Sequence, residues 1–155
     1  MGDKMGYLIR ARRLLTSMHA DIKVTDSSHI YRTAPWGETD QDWFLNACIA
    51  VETSLSPEKL LDACQTIEQH LGKKKLRHWG PRTIDIDLIA YGDGRTVHSD
   101  MLTLPHPYAV QRCFVLVPLA DIAPDLKLDN LTVSQHRQNM DCDDIVYYRN
   151  KNDWI

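Results

Sequence analysis

The sequence has no apolar run of about 18 residues that could cross a membrane as a helix. It has no leader with a charged start and an apolar centre. Repeats, low-complexity tracts and linkers are missing as well. Positive charge is not in excess: 18 Lys and Arg stand against 21 Asp and Glu, for a net charge of −3. A nucleic-acid binder working through a broad basic face is therefore not expected. Cysteine is sparse, and Cys48, Cys64, Cys113 and Cys142 show no Cys-x-x-Cys spacing. Sitting mostly in apolar runs, they predict buried free thiols in a reducing compartment rather than a disulfide frame or a zinc site. These absences predict a soluble cytoplasmic protein.

What is present suffices for a single domain over residues 1–155, with a hydrophobic fraction of 43% and a charged fraction of 25%. Asp3 can cap a first helix, in which Leu8, Ala11, Leu14, Leu15 and Met18 recur at helical spacing while Arg10, Arg12 and Arg13 face water. Strand-like residues run from Asp21 to Tyr31, and the turn-rich stretch from Ala34 to Asp40 predicts a loop. From Phe44 to Thr53 the alternation predicts one strand, with Leu45, Ala47, Ile49 and Val51 on one face and Phe44, Asn46, Cys48 and Glu52 on the other. Ser56-Pro57 opens a helix whose stripe is Leu60, Cys64, Ile67 and Leu71, and Gly72 ends it. A basic loop, Lys73 to Arg82, precedes a strand from Thr83 to Tyr91. Beyond it come a helix from Cys113 to Ile122, a short helix between Thr132 and Met140, and a strand from Ile145 to Tyr148. This order predicts an α+β fold, an antiparallel sheet covered by helices on one face.

The chemistry concentrates at Arg82-Thr83-Ile84-Asp85-Ile86-Asp87-Leu88-Ile89. Residues two apart on a strand share a face, so Asp85 and Asp87 project together. Two adjacent carboxylates repel unless a cation lies between them, and magnesium on a phosphate substrate takes only one or two carboxylates from a protein. Spacing alone equally fits an edge strand with a solvated face. The upstream loop tips the balance: Lys73, Lys75, Arg77 and Arg82, with Trp79, resemble a polyphosphate site. His106, held between prolines, and Arg112 offer further anion donors. Phe44 and Asn46 suit a flat heterocycle with hydrogen-bonding edges, although ordinary packing explains either alone. Stacking of single-stranded RNA on exposed aromatics is a rival reading, opposed by the carboxylate pair. A relative that has lost catalysis is another.

The run from His78 through Ile89 closely resembles the signature of the 6-hydroxymethyl-7,8-dihydropterin pyrophosphokinases of the folate pathway. The resemblance extends through Tyr31-Arg32-Thr33, Asp40-Gln41, Phe44-Leu45-Asn46, Glu68, Gly72, Leu104-Pro105-His106-Pro107 and Arg112 to Pro124, covering roughly residues 3–125. It implies a ferredoxin-like fold and diphosphate transfer from ATP to the hydroxymethyl group of a dihydropterin by a monomer. By the resemblance, Asp85 and Asp87 hold two Mg2+ ions. Thr33, Ala34, Trp36, Phe44, Asn46 and Phe114 line the pterin pocket. Gln65, Glu68, Trp79, Arg82, Leu88, Thr103, His106 and Arg112 contact or support ATP. Lys73 and Lys75 stand where relatives offer arginines, which keeps charge but loses the planar fork. Loops around Trp36 and Trp79 are the expected lids.

The resemblance also implies an apolar strand before the first helix, and Met1 falls where that strand's turn should finish. The expectation is a sheet without its first interior strand, a natural start further upstream, and a chain that is poorly stable, aggregates, or recruits a strand such as Ile145–Tyr148.

Overall fold

The computed structural model describes residues 3–33, 43–72, 84–92 and 94–155. Helix α1 (Lys4–Met18) starts at Asp3, whose carboxylate accepts the Gly6 N–H at 2.9 Å. Its apolar stripe buries Ala11 and Leu15, but Met18 at the last turn is exposed, and Arg12 is drawn half-inward by the Ser27 hydroxyl. Strands β1 (Ile22–Ser27) and β2 (Ile30–Thr33) follow, then β3 (Phe44–Asn46) and β4 (Ile49–Thr53).

The single strand expected from Phe44 to Thr53 is bent into two. Strand β4 pairs antiparallel with β1, while β3 pairs antiparallel with β2. The bend is locked where the two arms face each other. Ser28, fully buried, exchanges hydrogen bonds with Cys48: Ser28 N–H to the Cys48 carbonyl, and Cys48 N–H to the Ser28 hydroxyl, each 2.8 Å. A buried serine that satisfies a backbone amide interrupts the ladder without stranding a polar group. The alternation pattern alone carried no sign of that bend.

Helix α2 (Pro57–His70) has its N-cap at Ser56, proline at its first turn and Gly72 at φ 103°, as the sequence predicts. Two short hairpins, β5 (Val97–His98) with β6 (Thr103–Leu104) and β7 (Lys127–Leu128) with β8 (Leu131–Thr132), flank helix α3 (Cys113–Ile122). Helix α4 (Val133–Gln138) opens with a capping box between Thr132 and Gln135. Strand β9 (Ile145–Arg149) pairs antiparallel with β2. The end of the chain docks through Trp154, 5% exposed, whose indole N–H donates to the Ser28 carbonyl at 2.9 Å.

The architecture is α+β with antiparallel strands, which form four small sheets among the described residues. Residues 84–90 join none of these sheets. They keep the alternation of a strand, with Ile84, Ile86 and Leu88 half-buried and Asp85 and Asp87 exposed, but they pair with no strand among the described residues. Strand β9 does not take that place as expected; it extends the other sheet along β2. The N–H of Ile86 is met instead by the buried carboxylate of Glu68 at 2.7 Å.

Among the described residues, apolar groups gather in two clusters. Helices α1 and α2 pack over Ile49, Val51, Ile84, Ile86 and Leu88. Cys48 and Ile89, whose parity puts them on the opposite side, join the cluster under α3 and α4. The expectation of helices on one face thus holds for α1 and α2, while α3 adds a second layer.

Of the four cysteines, Cys48 and Cys64 are free thiols, as expected. Burial pushes both up to about 12, with the Asp121 carboxylate adding to the effect at Cys48 and those of Glu68 and Asp87 at Cys64. Cys113 and Cys142 are not free but bridged, a correction to the expectation of free thiols throughout. Their Cα atoms lie 5.4 Å apart because the start of α3 meets the turn before β9, a proximity that a separation of 29 residues conceals.

Candidate active site

Segment 84–90 is anchored on its inner face by three aliphatic side chains, which leaves Asp85 and Asp87 exposed on the other. Asp87 opens onto a cleft of about 290 Å³ that Leu88, Thr103 and His106 also line. Four residues expected to serve ATP or its metal therefore come together in one cavity. Two positions without any signal in the sequence, Met101 and Leu61, supply apolar wall. The His106 N–H donates to the Ile89 carbonyl at 2.8 Å, which ties the histidine to the carboxylate segment. Gln65 and Glu68 lie on α2, Gln65 half-buried and Glu68 7% exposed, and Glu68 acts on the segment through the Ile86 amide.

Arg112 closes the 3-10 turn Ala109–Gln111 and begins α3. Its guanidinium carbon lies 5.2 Å from the centre of the Tyr108 ring and 5.5 Å from that of Phe114. Tyr108 was not a candidate from sequence; the 3-10 turn between the two residues brings it to Arg112.

The register of β2 with β3 sets Tyr31 opposite Asn46 and Thr33 opposite Phe44, so these four side chains share a face. The Asn46 amide donates to the Thr33 hydroxyl at 3.2 Å, and Phe44 is 54% exposed. At the inner end Tyr31 donates to the Asp121 carboxylate of α3 at 2.7 Å. Burial and that neighbouring carboxylate raise the Tyr31 pKa well above the ordinary phenol value. Thr33, Phe44 and Asn46 thus share one face, with α3, which carries Phe114, packed against β2 and β3. Ala34, Trp36, Lys73, Lys75, Trp79 and Arg82 lie outside the described residues.

Among the described residues no group of three or more His, Cys, Asp and Glu gathers as a ready metal cage. The donor set at Asp85 and Asp87 still fits magnesium. Hard carboxylate oxygens, exposed, paired and beside a cleft, suit an ion that fills its other positions with water and phosphate oxygens.

An α+β frame thus carries an exposed carboxylate pair, of which Asp87 shares a cleft with His106, and a ring-flanked arginine at the start of α3. Comparison with known proteins narrows the class. The family described as 7,8-dihydro-6-hydroxymethylpterin-pyrophosphokinase matches residues 1–124. The 2-amino-4-hydroxy-6-hydroxymethyldihydropteridine pyrophosphokinase of Methylorubrum extorquens is 48% identical over 141 residues, covering 91% of this chain and 88% of that protein. The protein of the same description from Bacillus subtilis is 41% identical over 127 residues, covering 82% and 75%. The bifunctional protein FolKE of Lactococcus lactis is 40% identical over 122 residues, which make up 79% of this chain and 34% of that longer protein. The chain belongs to the 7,8-dihydro-6-hydroxymethylpterin-pyrophosphokinase family.

Proposed function

We propose that the cleft bounded by Asp87, Leu88, Thr103 and His106 holds ATP, with two Mg2+ ions at Asp85 and Asp87 and the pterin over Thr33, Phe44, Asn46 and Phe114. The reaction follows from family membership: the protein is an ATP-dependent diphosphotransferase of folate biosynthesis. It moves diphosphate from ATP to the hydroxymethyl group of 6-hydroxymethyl-7,8-dihydropterin and releases AMP. The observation that carries the site is the meeting of Asp87 and His106 in one cavity.

The hydroxymethyl oxygen attacks the β-phosphorus in line and gives up its proton to solvent, the bond from that phosphorus to the α-phosphate oxygen breaks, and AMP leaves with the electron pair. Magnesium, when bound with the nucleotide, offsets phosphate charge. His106 and Arg112 hold phosphate oxygens, and Asn46 reads the pterin edge while the rings of Phe44 and Phe114 lie on its faces. Ala34 and Trp36 complete that pocket, and Arg82, Lys73, Lys75 and Trp79 complete the nucleotide side. Positioning and charge neutralisation carry the rate. A single domain over residues 1–155 acts as a monomer on two small molecules in the cytoplasm, without nucleic acid. Titration with a non-hydrolysable ATP analogue tests the site. Binding should require magnesium and be lost in Asp87→Ala with the fold intact; metal-independent binding equal in both proteins would contradict it.

A further inference from the structure

Tyr108 is 53% exposed and joins neither hydrophobic cluster, so burial does not account for where its ring lies. Two contacts do. The ring covers one side of the Arg112 guanidinium at 5.2 Å, with Phe114 at 5.5 Å from the same carbon. Its backbone N–H donates to Nδ1 of His106 at 3.2 Å, and the two rings meet edge to face at 6.1 Å. An imidazole whose Nδ1 accepts carries its proton on Nε2, so His106 keeps a donor for a ligand oxygen. A long arginine side chain at a surface samples many rotamers, and a ring against its planar face restricts them while leaving the N–H edge free to donate.

We propose that Tyr108 is a positioning residue for diphosphate transfer: its ring holds the Arg112 guanidinium flat, and its main chain sets the His106 tautomer, so both donors are arranged before ATP arrives. This rests on the reading of His106 and Arg112 as phosphate ligands. The ring part acts through Arg112 alone and is separable by substitution, since the main-chain N–H survives any change of side chain.

The test is a double-mutant cycle read by calorimetric titration with magnesium and a non-hydrolysable ATP analogue, paired with steady-state AMP release. In the otherwise unchanged protein, Tyr108→Ala should weaken analogue binding by about two- to fivefold, the range for a cation over an exposed ring. Tyr108→Phe should restore it, because the ring and not the hydroxyl makes the contact. In an Arg112→Gln background Tyr108→Ala should change nothing further, and in the Arg112 protein the two Tyr108 substitutions should leave the KM for the pterin constant. Tyr108→Ala binding as tightly as the unchanged protein would overturn the proposal. So would Tyr108→Phe failing to rescue, or an equal loss in the Arg112→Gln background, which would make Tyr108 a direct ligand contact. Failure of the unchanged protein to bind the analogue would instead overturn the functional reading beneath it.

Discussion

Glu68→Ala removes an acceptor from the centre of the molecule. The Glu68 carboxylate, 7% exposed, takes the Ile86 N–H at 2.7 Å, and Ile86 stands between Asp85 and Asp87 on a segment with no ladder partner among the described residues. A main-chain amide left unsatisfied in such a place costs about 1–3 kcal/mol. At this chain length each kcal/mol lowers Tm by about 2–4 °C, so scanning calorimetry should find a fall of about 3–10 °C. Glu68→Gln keeps a carbonyl oxygen but not the charge, and should recover more than half of the loss. Turnover should fall along the same series, because the segment bearing both carboxylates loosens when its amide loses this anchor. A Glu68→Ala protein melting within a degree of the parent would refute the reasoning. It would show that the Glu68 carboxylate contributes little to holding the segment.

Alkaline pH should destabilise the fold. Cys48 and Cys64 are raised from 9.0 to about 12, so above pH 9 the unfolded chain sheds protons that the folded one keeps. Stability should hold below pH 9 and be lost progressively between 9 and 12, read as denaturant midpoints against pH; a flat profile would contradict the burial of both thiols. The Cys113–Cys142 bridge closes a loop of 29 residues and should contribute about 3–4 kcal/mol by the chain-entropy relation. A dithiol reductant should lower the denaturant midpoint of the parent and leave that of Cys142→Ser unmoved; equal midpoints with both thiols free by mass spectrometry would show the bridge is not formed.

Helices α1, α2 and α4 were legible in the sequence because they carry their own punctuation. Asp3, Ser56 with Pro57, Gly72 and Thr132 mark their ends, and the structure uses every one of them, while α3 showed as an apolar run. Strand identity was legible but strand partnership was not. Alternation reports which side a residue faces, not which neighbour its amide meets. The Ser28–Cys48 bend, the docking of β9 on β2 and the capture of the Ile86 amide by Glu68 are therefore absent from any pattern. The same division holds at the site. Asp85 with Asp87, and Phe44 with Asn46, were readable from their spacing of two, and the structure brings Thr33 to the second pair and His106 to the cleft that Asp87 lines. Tyr108, Met101 and the disulfide depend on distant segments meeting, which only the folded chain reveals.

The most direct test of the account is release of AMP from ATP, followed by a coupled assay with and without 6-hydroxymethyl-7,8-dihydropterin. AMP formation should require both the pterin and magnesium and disappear in a well-folded Asp87→Ala protein. AMP release independent of the pterin, or full activity in Asp87→Ala, would contradict it.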